Sequence, residues 1–330
     1  MHKKINIGLI GYGVVGKRRI LSLPNKFNLI ACADPYIKIN KIKLNKKNIY
    51  LFKNWKKLID LKSLDAIIVC TTHNLHSIII KECINKNLHV FVEKPASIND
   101  LQSKQILKLL KKKKNLKIRV GFNHRYHPAF LLAKKIVNHN KIGKIMYIRA
   151  IYGHGGRKNY HKEWRFNKKF SGGGELIDKG SHLIDLSRLF LRNLKVDYSK
   201  LNTFFWKSKL EDNCFINLSN KQGAMVVLHA SSTEWKNKFI FEIFGKYGKI
   251  EINGLGKSYG KEKLTYYKMS KNMGIPYSKT HVFKEKDMYS WKEEMKEFCL
   301  DIIQNRNPVP GIKDAHENLR IISAIYKSRK

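Results

Sequence analysis

The sequence has few of the features that mark secreted or membrane proteins. Only 5 of its 330 residues are cysteines, and no two form a C-x-x-C pair, which argues against a zinc knuckle and favours a reducing cytoplasm. No run of about 18 apolar residues lacks a charge, so no transmembrane helix is expected. The apolar run at 5–10 is too short for a secretion signal. The sequence therefore predicts a cytoplasmic protein with no membrane partner and no metal site.

Acidic residues are also scarce: 25 stand against 66 basic residues, giving a net charge of +41. Such an excess is typical of nucleic-acid-binding proteins. The charge comes, however, from 54 lysines and only 12 arginines, which accompany abundant Ile and Asn. Codons for Lys, Ile and Asn are rich in A and T, so a genomic base bias accounts for the mixture. Because no zinc-finger, RNP or GXXG-type signature is present, we expect no specific nucleic-acid partner.

The N-terminal part alternates short apolar runs with helical patterns. Hydrophobic residues make up 43% of the chain, enough for a sizeable core, and its length favours two domains. Buried runs that alternate with helices predict a doubly wound parallel sheet, here a Rossmann domain over residues 1–122. The predicted strands are 4–10, 28–33, 65–70, 89–92 and 117–121, and the predicted helices are 14–23, 54–61, 75–85 and 100–112.

The pattern changes after residue 122. Alternating segments separated by turn residues predict a large open, mainly antiparallel sheet, and with the helices they make 123–330 an α+β domain. The predicted strands are 144–151, 197–206, 212–218, 223–231, 239–244 and 248–252, and the predicted helices are 129–138, 175–191, 290–305 and 314–327.

A glycine-rich turn directly follows the first predicted strand and opens a helix. The G-x-G-x-x-G spacing allows a tight turn, a close backbone approach to a pyrophosphate, and close packing of helix on strand. Asp34 ends the second strand, where a carboxylate binds both ribose hydroxyls and repels a 2′-phosphate, so NAD is favoured over NADP. Lys38 lies nearby and could reach such a phosphate. The predicted cofactor residues are Gly11, Tyr12, Gly13, Val14, Val15, Gly16 and Asp34.

Two further segments carry candidate catalytic groups. Lys94 follows the apolar strand at 89–92, at the edge where open α/β sheets bind ligands, and a lysine there can stabilise an alkoxide. Asp178 and His182 follow the glycine run at 172–174 and are spaced i and i+4, so both are expected on one helix face. A carboxylate paired with an imidazole is suited to general acid–base chemistry, although a surface Asp–His pair has the same pattern.

In this order and spacing, the glycine turn, the Glu93-Lys94-Pro95 tripeptide and the segment 172–186 closely resemble the Gfo/Idh/MocA family of NAD(P)-dependent oxidoreductases. The resemblance runs over nearly the whole chain and includes 121–128 and the closing pattern at 314–328. It implies that Lys94, Asp178 and His182 are the catalytic residues and also contact substrate.

The resemblance also implies further binding residues. After the third Rossmann strand the family usually has Thr-Pro-Asn-x-x-His, and this chain keeps Thr71 and His76 but has Thr72 and His73 between them. In this loop the resemblance therefore assigns cofactor binding only to Thr71 and His76. The Glu93-Lys94-Pro95 tripeptide adds Glu93 and Lys94 to the predicted cofactor residues. The remaining predicted substrate-binding residues lie at 121–128 and in the loop at 152–166, where aromatic rings stack on sugars and arginines bind anionic groups: Asn123, Arg125, Arg157, Tyr160, Trp164 and Arg165.

The motifs and the resemblance together predict an NAD-dependent dehydrogenase acting on a secondary alcohol of a sugar, cyclitol or nucleotide-sugar, with surface-carbohydrate metabolism as one setting. One alternative is a family member that oxidises its substrate transiently and returns the hydride, for net hydrolysis or epimerisation. An alternative of another class is a basic nucleic-acid-binding protein on a Rossmann scaffold, which the intact catalytic triplet opposes. By the resemblance, residues 123–330 bind substrate and mediate oligomerisation. One face of a large open sheet must be covered by other protein, and such sheets often pair, so a homodimer or homotetramer is expected.

Overall fold

The computed structural model describes residues 4–37, 49–284 and 287–328, so Lys38 lies outside the described residues. The chain forms two compact units. The first comprises Met1–Phe122 and Trp291–Leu319, and the second comprises Asn123–Ser290 and Arg320–Lys330. The structure thus groups Trp291–Leu319 with the N-terminal part, whereas the sequence division placed this segment in the second domain. Within the described ranges, no helix is long and apolar enough to cross a membrane.

The first unit contains a six-stranded parallel sheet with helices between its strands. Its strand order is β3-β2-β1-β4-β5-β6, in which the direction of winding reverses between β1 and β4, as in dinucleotide-binding folds. Its strands are β1 (Ile5–Ile10), β2 (Phe27–Ala33), β3 (Tyr50–Phe52), β4 (Ala66–Val69), β5 (His89–Glu93) and β6 (Ile118–Gly121). Its N-terminal helices are α1 (Val14–Leu21), α2 (Trp55–Ile59), α3 (His73–Asn85) and α4 (Asp100–Leu110).

The apolar runs of the sequence explain this sheet. Every residue of β4 is completely buried, as expected for a central strand that is covered on both faces. Neighbouring strands pair in parallel register, with Ile7 opposite Ala66 and Ile67 opposite Val90. The carboxyl ends of β1, β2, β4 and β5 therefore share one edge, where the predicted cofactor residues follow the strands.

The second unit contains an eight-stranded sheet in the order β14-β13-β12-β11-β7-β10-β9-β8. All its neighbouring strands are antiparallel except β7 and β10, which run parallel. Its helices are α5 (Pro128–Asn138), α6 (Lys168–Ser171) and α7 (Ser181–Leu191). Its strands are β7 (Ile145–Gly153), β8 (Lys195–Asn202), β9 (Asn213–Ser219), β10 (Met225–Ser231), β11 (Lys238–Gly245), β12 (Gly248–Asn253), β13 (Lys263–Lys268) and β14 (Tyr277–Val282).

The predicted fold class, a parallel Rossmann sheet followed by a large and mainly antiparallel sheet, is confirmed. The last two predicted helices are also present as α8 (Tyr289–Ile303) and α9 (Ile312–Lys327). Three strands were not predicted: β3, which has only three residues, and β13 and β14, which lie at one end of the second sheet. The predicted helix at 175–191 is divided into a π-helical turn, Leu176–Gly180, and α7.

Candidate active site

The glycine turn of the first unit requires glycine at two of its three positions. Gly11 has a φ of +95°, and a Cβ built on it would lie 2.5 Å from the carbonyl oxygen of Cys70. A Cβ on Gly16 would collide with the carbonyl oxygen of Gly11. Gly11 therefore lets the turn approach the end of β4, and Gly16 lets α1 pack closely on the turn, as expected for a dinucleotide-binding turn.

Gly13 differs from these two glycines because nothing within the described residues lies within 4 Å of a Cβ built there. It is also the N-cap of α1 and, as a glycine, has no side chain that could cap the helix. The first N–H groups of α1 and the open surface at Gly13 fit an anionic ligand that approaches the backbone. The turn thus fits the pyrophosphate of a dinucleotide.

Asp34 lies beside this turn, at the end of β2. Its Oδ2 accepts the N–H of Tyr12 at 2.8 Å, and its Oδ1 accepts the N–H of Tyr36 at 2.9 Å. These two bonds orient the carboxylate, and its remaining lone pairs can accept hydroxyl donors. The geometry is therefore compatible with the predicted recognition of a ribose diol.

His76 connects two strand ends in the first unit. Its Nδ1 lies 2.7 Å from the carbonyl oxygen of Pro95, and its Nε2 lies 3.1 Å from that of Thr71. Burial lowers the pKa of His76, although both carbonyl contacts favour the charged ring. The predicted cofactor residues Thr71 and His76 are therefore in direct contact, and His76 also holds the residue that follows Lys94.

Asp178 of the second unit lies within the π-helical turn and not in a regular α-helix. Its Oδ2 accepts a hydrogen bond from Lys179 Nζ at 2.7 Å, and Arg165 Nε lies 4.0 Å away. Because π-helical turns widen the helix, the i, i+4 argument for Asp178 and His182 does not apply directly. The turn places a carboxylate and an ammonium group side by side at the start of the helix that carries His182.

Glu175 and Lys179 extend this cluster into the interior. Burial raises the pKa of Glu175 to about 7, against the attraction of the Lys179 ammonium group. Its Oε1 accepts the hydroxyl of Tyr160 at 3.1 Å, and its Oε2 lies 3.8 Å from Lys179 Nζ. Burial also disfavours the charge on Lys179, but Asp178 and Glu175 outweigh that effect and hold its pKa well above the usual value. Lys179 therefore stays charged beside Asp178.

His182 is buried at the start of α7 and stacks on a second histidine. The ring centroids of His124 and His182 are 3.9 Å apart, and their planes differ by 25°. Tyr152 packs against both rings, with centroid distances of 5.3 Å to His124 and 6.1 Å to His182. His124 Nδ1 lies 3.2 Å from Asn123 Oδ1. These contacts fix the plane of the His182 imidazole.

The neighbouring residues Asn123 and Arg125 make buried contacts in this unit. Arg125 donates two hydrogen bonds to Asp185 of α7, at 2.7 and 2.6 Å. Asn123 Nδ2 donates to Ser290 Oγ at 3.3 Å. In this structure the Asn123–Arg125 segment therefore holds α7 in place, and its predicted role in substrate binding stays a prediction.

The loop at 152–166 contains a chain of charges that reaches the π-helical turn. Arg157 donates to both carboxylate oxygens of Glu163, at 2.6 and 2.5 Å. Arg165 lies 3.4 Å from Glu163 and stacks its guanidinium group on Trp164 at 4.8 Å. Arg165 also faces Asp178, so the structure brings one of the predicted substrate arginines to a predicted catalytic residue.

Glu175, Lys179 and His124 are not among the predicted site residues. Each lies within three residues of a predicted site residue, and this proximity was the only feature of the sequence that could have indicated a role in the site. The contacts of His124 with His182 and of Glu175 with Tyr160 join segments that are distant along the chain. Spacing rules for a single helix do not describe such contacts.

Comparison with known proteins identifies the chain. Residues 5–122 match the oxidoreductase family with an NAD-binding Rossmann fold, and residues 130–251 match the Gfo/Idh/MocA C-terminal domain. The chain therefore belongs to the Gfo/Idh/MocA family of NAD(P)-dependent oxidoreductases, and the resemblance inferred from its motifs is confirmed.

Curated relatives include two sugar or cyclitol dehydrogenases. Levoglucosan dehydrogenase of Pseudarthrobacter phenanthrenivorans is 28% identical over 227 residues, which span 63% of this chain and 57% of that protein. Myo-inositol 2-dehydrogenase of Thermotoga maritima is 25% identical over 98% of this chain and 96% of its own length. Because the first alignment covers little more than half of that protein, its activity is not transferred on similarity alone.

Solved structures share the fold along almost the whole chain. Levoglucosan dehydrogenase in complex with NADH has a TM-score of 0.88 at 21% identity, covering 99% of this chain and 97% of its own. Aldose-aldose oxidoreductase from Caulobacter crescentus, complexed with glycerol, has a TM-score of 0.81 at 19% identity, covering 99% and 98%. At these identities the likeness shows a common fold.

The contacts of Asp34 predict its effect on cofactor choice. We expect NAD to bind more tightly than NADP, because the oriented carboxylate repels a 2′-phosphate. The Asp34→Ala variant should narrow this difference, as measured by titrating both nucleotides with protein fluorescence as the readout. Asp60→Ala, which removes an exposed carboxylate paired with Lys86, serves as the control. Equal affinity of the unmodified protein for both nucleotides would refute the prediction.

The stacked imidazoles predict a role for His124. Removing its ring in His124→Ala should lower turnover by about twofold to tenfold, which corresponds to the roughly 0.5–1.5 kcal/mol of an aromatic pair. His124→Phe keeps a flat ring and should restore most of the turnover. His139→Ala, at an exposed helix end, provides the control. The interpretation fails if the Phe and Ala variants are equally impaired.

Proposed function

We propose that the protein is an NAD-dependent dehydrogenase that oxidises a secondary alcohol of a sugar, cyclitol or nucleotide-sugar. The observation that carries this proposal is the membership of both parts of the chain in the oxidoreductase family, together with an intact set of Lys94, Asp178 and His182. The relatives named for levoglucosan and myo-inositol support this substrate class. A role in surface-carbohydrate metabolism would follow if the substrate is a nucleotide-sugar.

The first unit would hold the cofactor. The glycine turn and the N-terminus of α1 fit its pyrophosphate, and Asp34 fits the ribose hydroxyls. NAD, when bound, supplies the acceptor for a hydride from the substrate carbon. Thr71, His76 and Glu93 are the further cofactor residues that family resemblance assigns.

Lys94 is the electrophilic group of the first unit in this proposal. An ammonium group at the end of a parallel strand can donate a hydrogen bond to the substrate oxygen and stabilise the negative charge that develops there. Lys94 follows β5 directly, and the residues on either side of it are fixed by contacts with Arg19 and His76. A fixed backbone favours a constant position of this donor.

His182 is the proposed general base of the second unit. Oxidation of an alcohol releases the hydroxyl proton, and an imidazole can accept it near neutral pH. The stack with His124 holds the ring plane, so His182 does not need to reorient before the transfer. Asp178, which accepts a hydrogen bond from the adjacent Lys179, would orient the substrate hydroxyls or the imidazole.

Substrate recognition is assigned to the loop that contains Arg157, Tyr160, Trp164 and Arg165, together with Asn123 and Arg125. Trp164 carries a stacked guanidinium group, and an aromatic face combined with cationic donors suits a sugar with an anionic group. Arg157 and Arg165 already share Glu163. An anionic substrate would therefore compete with this carboxylate for the two arginines.

A substrate panel tests the function. Levoglucosan, myo-inositol, other sugars and nucleotide-sugars are each incubated with NAD, and NADH absorbance is recorded with mass analysis of the carbohydrate. NADH formation with one of them is expected. Conversion of the carbohydrate without net NADH would instead indicate transient oxidation. Absence of NAD binding, combined with tight nucleic-acid binding at about 200 mM salt, where phosphate-only contacts have weakened strongly, would overturn the proposal.

The catalytic assignment predicts the effect of two substitutions. His182→Ala and Lys94→Ala should each lower turnover by about 10²–10⁴-fold, the range for a positioned acid or base, while NAD affinity changes little. The loss in the double variant should not exceed the product of the single losses, because both residues act on one proton transfer. Near-normal turnover of His182→Ala with the identified substrate would show that another group is the base.

We also infer that the second sheet mediates self-association. On β10, Val226 and Leu228 are buried, whereas Met225 and Val227 on the opposite face are 51% and 42% exposed. Phe215 of β9 is likewise exposed and stacks on His229, with centroids 4.3 Å apart. A sheet face with several exposed apolar side chains is typical of a protein interface.

Sedimentation measurements should therefore show a dimer or tetramer at micromolar concentration. Replacing Met225 and Val227 by glutamate should shift the protein toward the monomer, because each change places a charge on the apolar face. A matched substitution at the exposed Lys221 turn should leave the assembly unchanged. A monomer at all concentrations would contradict the inference.

A further inference from the structure

A completely buried arginine lies beneath the strand end that carries Lys94. Arg19 is on α1, one turn after Gly16, and none of its surface is exposed. Its Nε and one terminal nitrogen both lie 2.6 Å from Oε1 of Glu93, and its other terminal nitrogen lies 2.7 Å from Oε2 of Glu294. The guanidinium group therefore joins the residue before Lys94 to α8 within the first unit.

The surroundings allow the guanidinium group only one orientation. Its carbon lies 4.3 Å from the ring centre of Phe91 and 4.2 Å from that of Trp291, so the group is held between two aromatic faces. Gly121 provides the remaining space, because a Cβ there would lie 3.0 Å from both Arg19 and Glu93. Arg19 and Glu93 are therefore fixed relative to each other.

The residue after Lys94 is fixed by a separate contact. The carbonyl oxygen of Pro95 lies 2.7 Å from His76 Nδ1, and His76 is completely buried on α3. Lys94 thus stands between one residue bound through its side chain and another bound through its backbone. Both contacts arise from segments far away along the chain.

We propose that Arg19 is a positioning residue for Lys94, acting through the ion pair with Glu93, and that His76 performs the same task through Pro95. This inference rests on the proposed catalytic role of Lys94. Two fixed neighbours restrict the backbone of Lys94, so its flexible side chain extends from a constant origin toward the substrate oxygen. Small errors in the position of a catalytic group lower the reaction rate strongly: a misplacement of about 1 Å can lower it by about 100-fold.

The first unit offers a matched comparison. Arg119 on β6 is also buried and binds Asp301 of α8 at 2.6 Å, but neither residue adjoins Lys94. Loss of that pair should affect folding in the same general way as loss of the Arg19 pair. A difference in catalysis between the two pairs therefore separates positioning from stability.

Two substitutions test the proposal. Arg19→Lys retains a charge but loses the planar set of donors that binds Glu93 and Glu294 together. Glu93→Gln retains size and acceptor while removing the charge, so it should fold even if Arg19→Lys does not. Each should lower kcat by about 10- to 100-fold, as expected for a misplaced group, with little change in the substrate KM, and Arg19→Lys should also leave NAD affinity nearly unchanged. Arg119→Lys should lower thermal stability but leave kcat near that of the unmodified protein.

Hydrogen exchange gives a readout that does not need the substrate. In Glu93→Gln, the backbone amides of Lys94 and Ala96 should exchange faster, whereas in Arg119→Lys they should not. If the unmodified protein turns over no substrate, the proposed function fails, and exchange still tests the structural part. If kcat and exchange in Arg19→Lys and Glu93→Gln match those in Arg119→Lys, Arg19 is only a structural residue and the proposal is overturned.

Discussion

A buried guanidinium group must keep its charge paired, and this requirement shapes the interior of both units. Among the described residues, Arg19, Arg119 and Arg125 are buried, and each binds one or two carboxylates. Arginine is rare in this lysine-rich chain, with 12 residues against 54. At these buried positions the planar set of donors binds carboxylates at short distance, which a lysine cannot reproduce. The interior of both units therefore contains matched pairs of arginine and carboxylate.

Much of the fold followed from the sequence because its strands and helices have strong periodicity. The central strands of the first unit are continuous apolar runs, and the structure bears out their order as a doubly wound sheet. The strands β13 and β14 escaped prediction because few of their residues are buried: in Tyr277–Val282 none is. The π-helical turn was also missed, since the apolar periodicity of a sequence does not reveal a single turn with i→i+5 hydrogen bonds.

The candidate site could be predicted only in part. Local motifs pointed to Gly11, Asp34 and the segments around Lys94 and His182 as candidates, because their chemistry is visible at short spacing. The partners that orient these groups were not visible, since they come from other segments: His124 faces His182 from 58 positions away, as the two residue numbers show. Long-range partners of this kind depend on the folded topology, and no periodicity in a single segment encodes them.

The buried carboxyl of Glu175 also couples folding to proton binding. Its pKa rises from 4.5 to about 7 in the folded protein because burial penalises the charged form. Below 4.5 the group is protonated in both states and its contribution to stability is complete. As the pH rises from 4.5 toward 7, the unfolded chain releases its proton first, so that contribution is progressively lost. The Tyr160 hydroxyl and the Lys179 ammonium group limit the loss. The contacts that shape the π-helical turn therefore also determine how strongly the second unit responds to protons near neutrality.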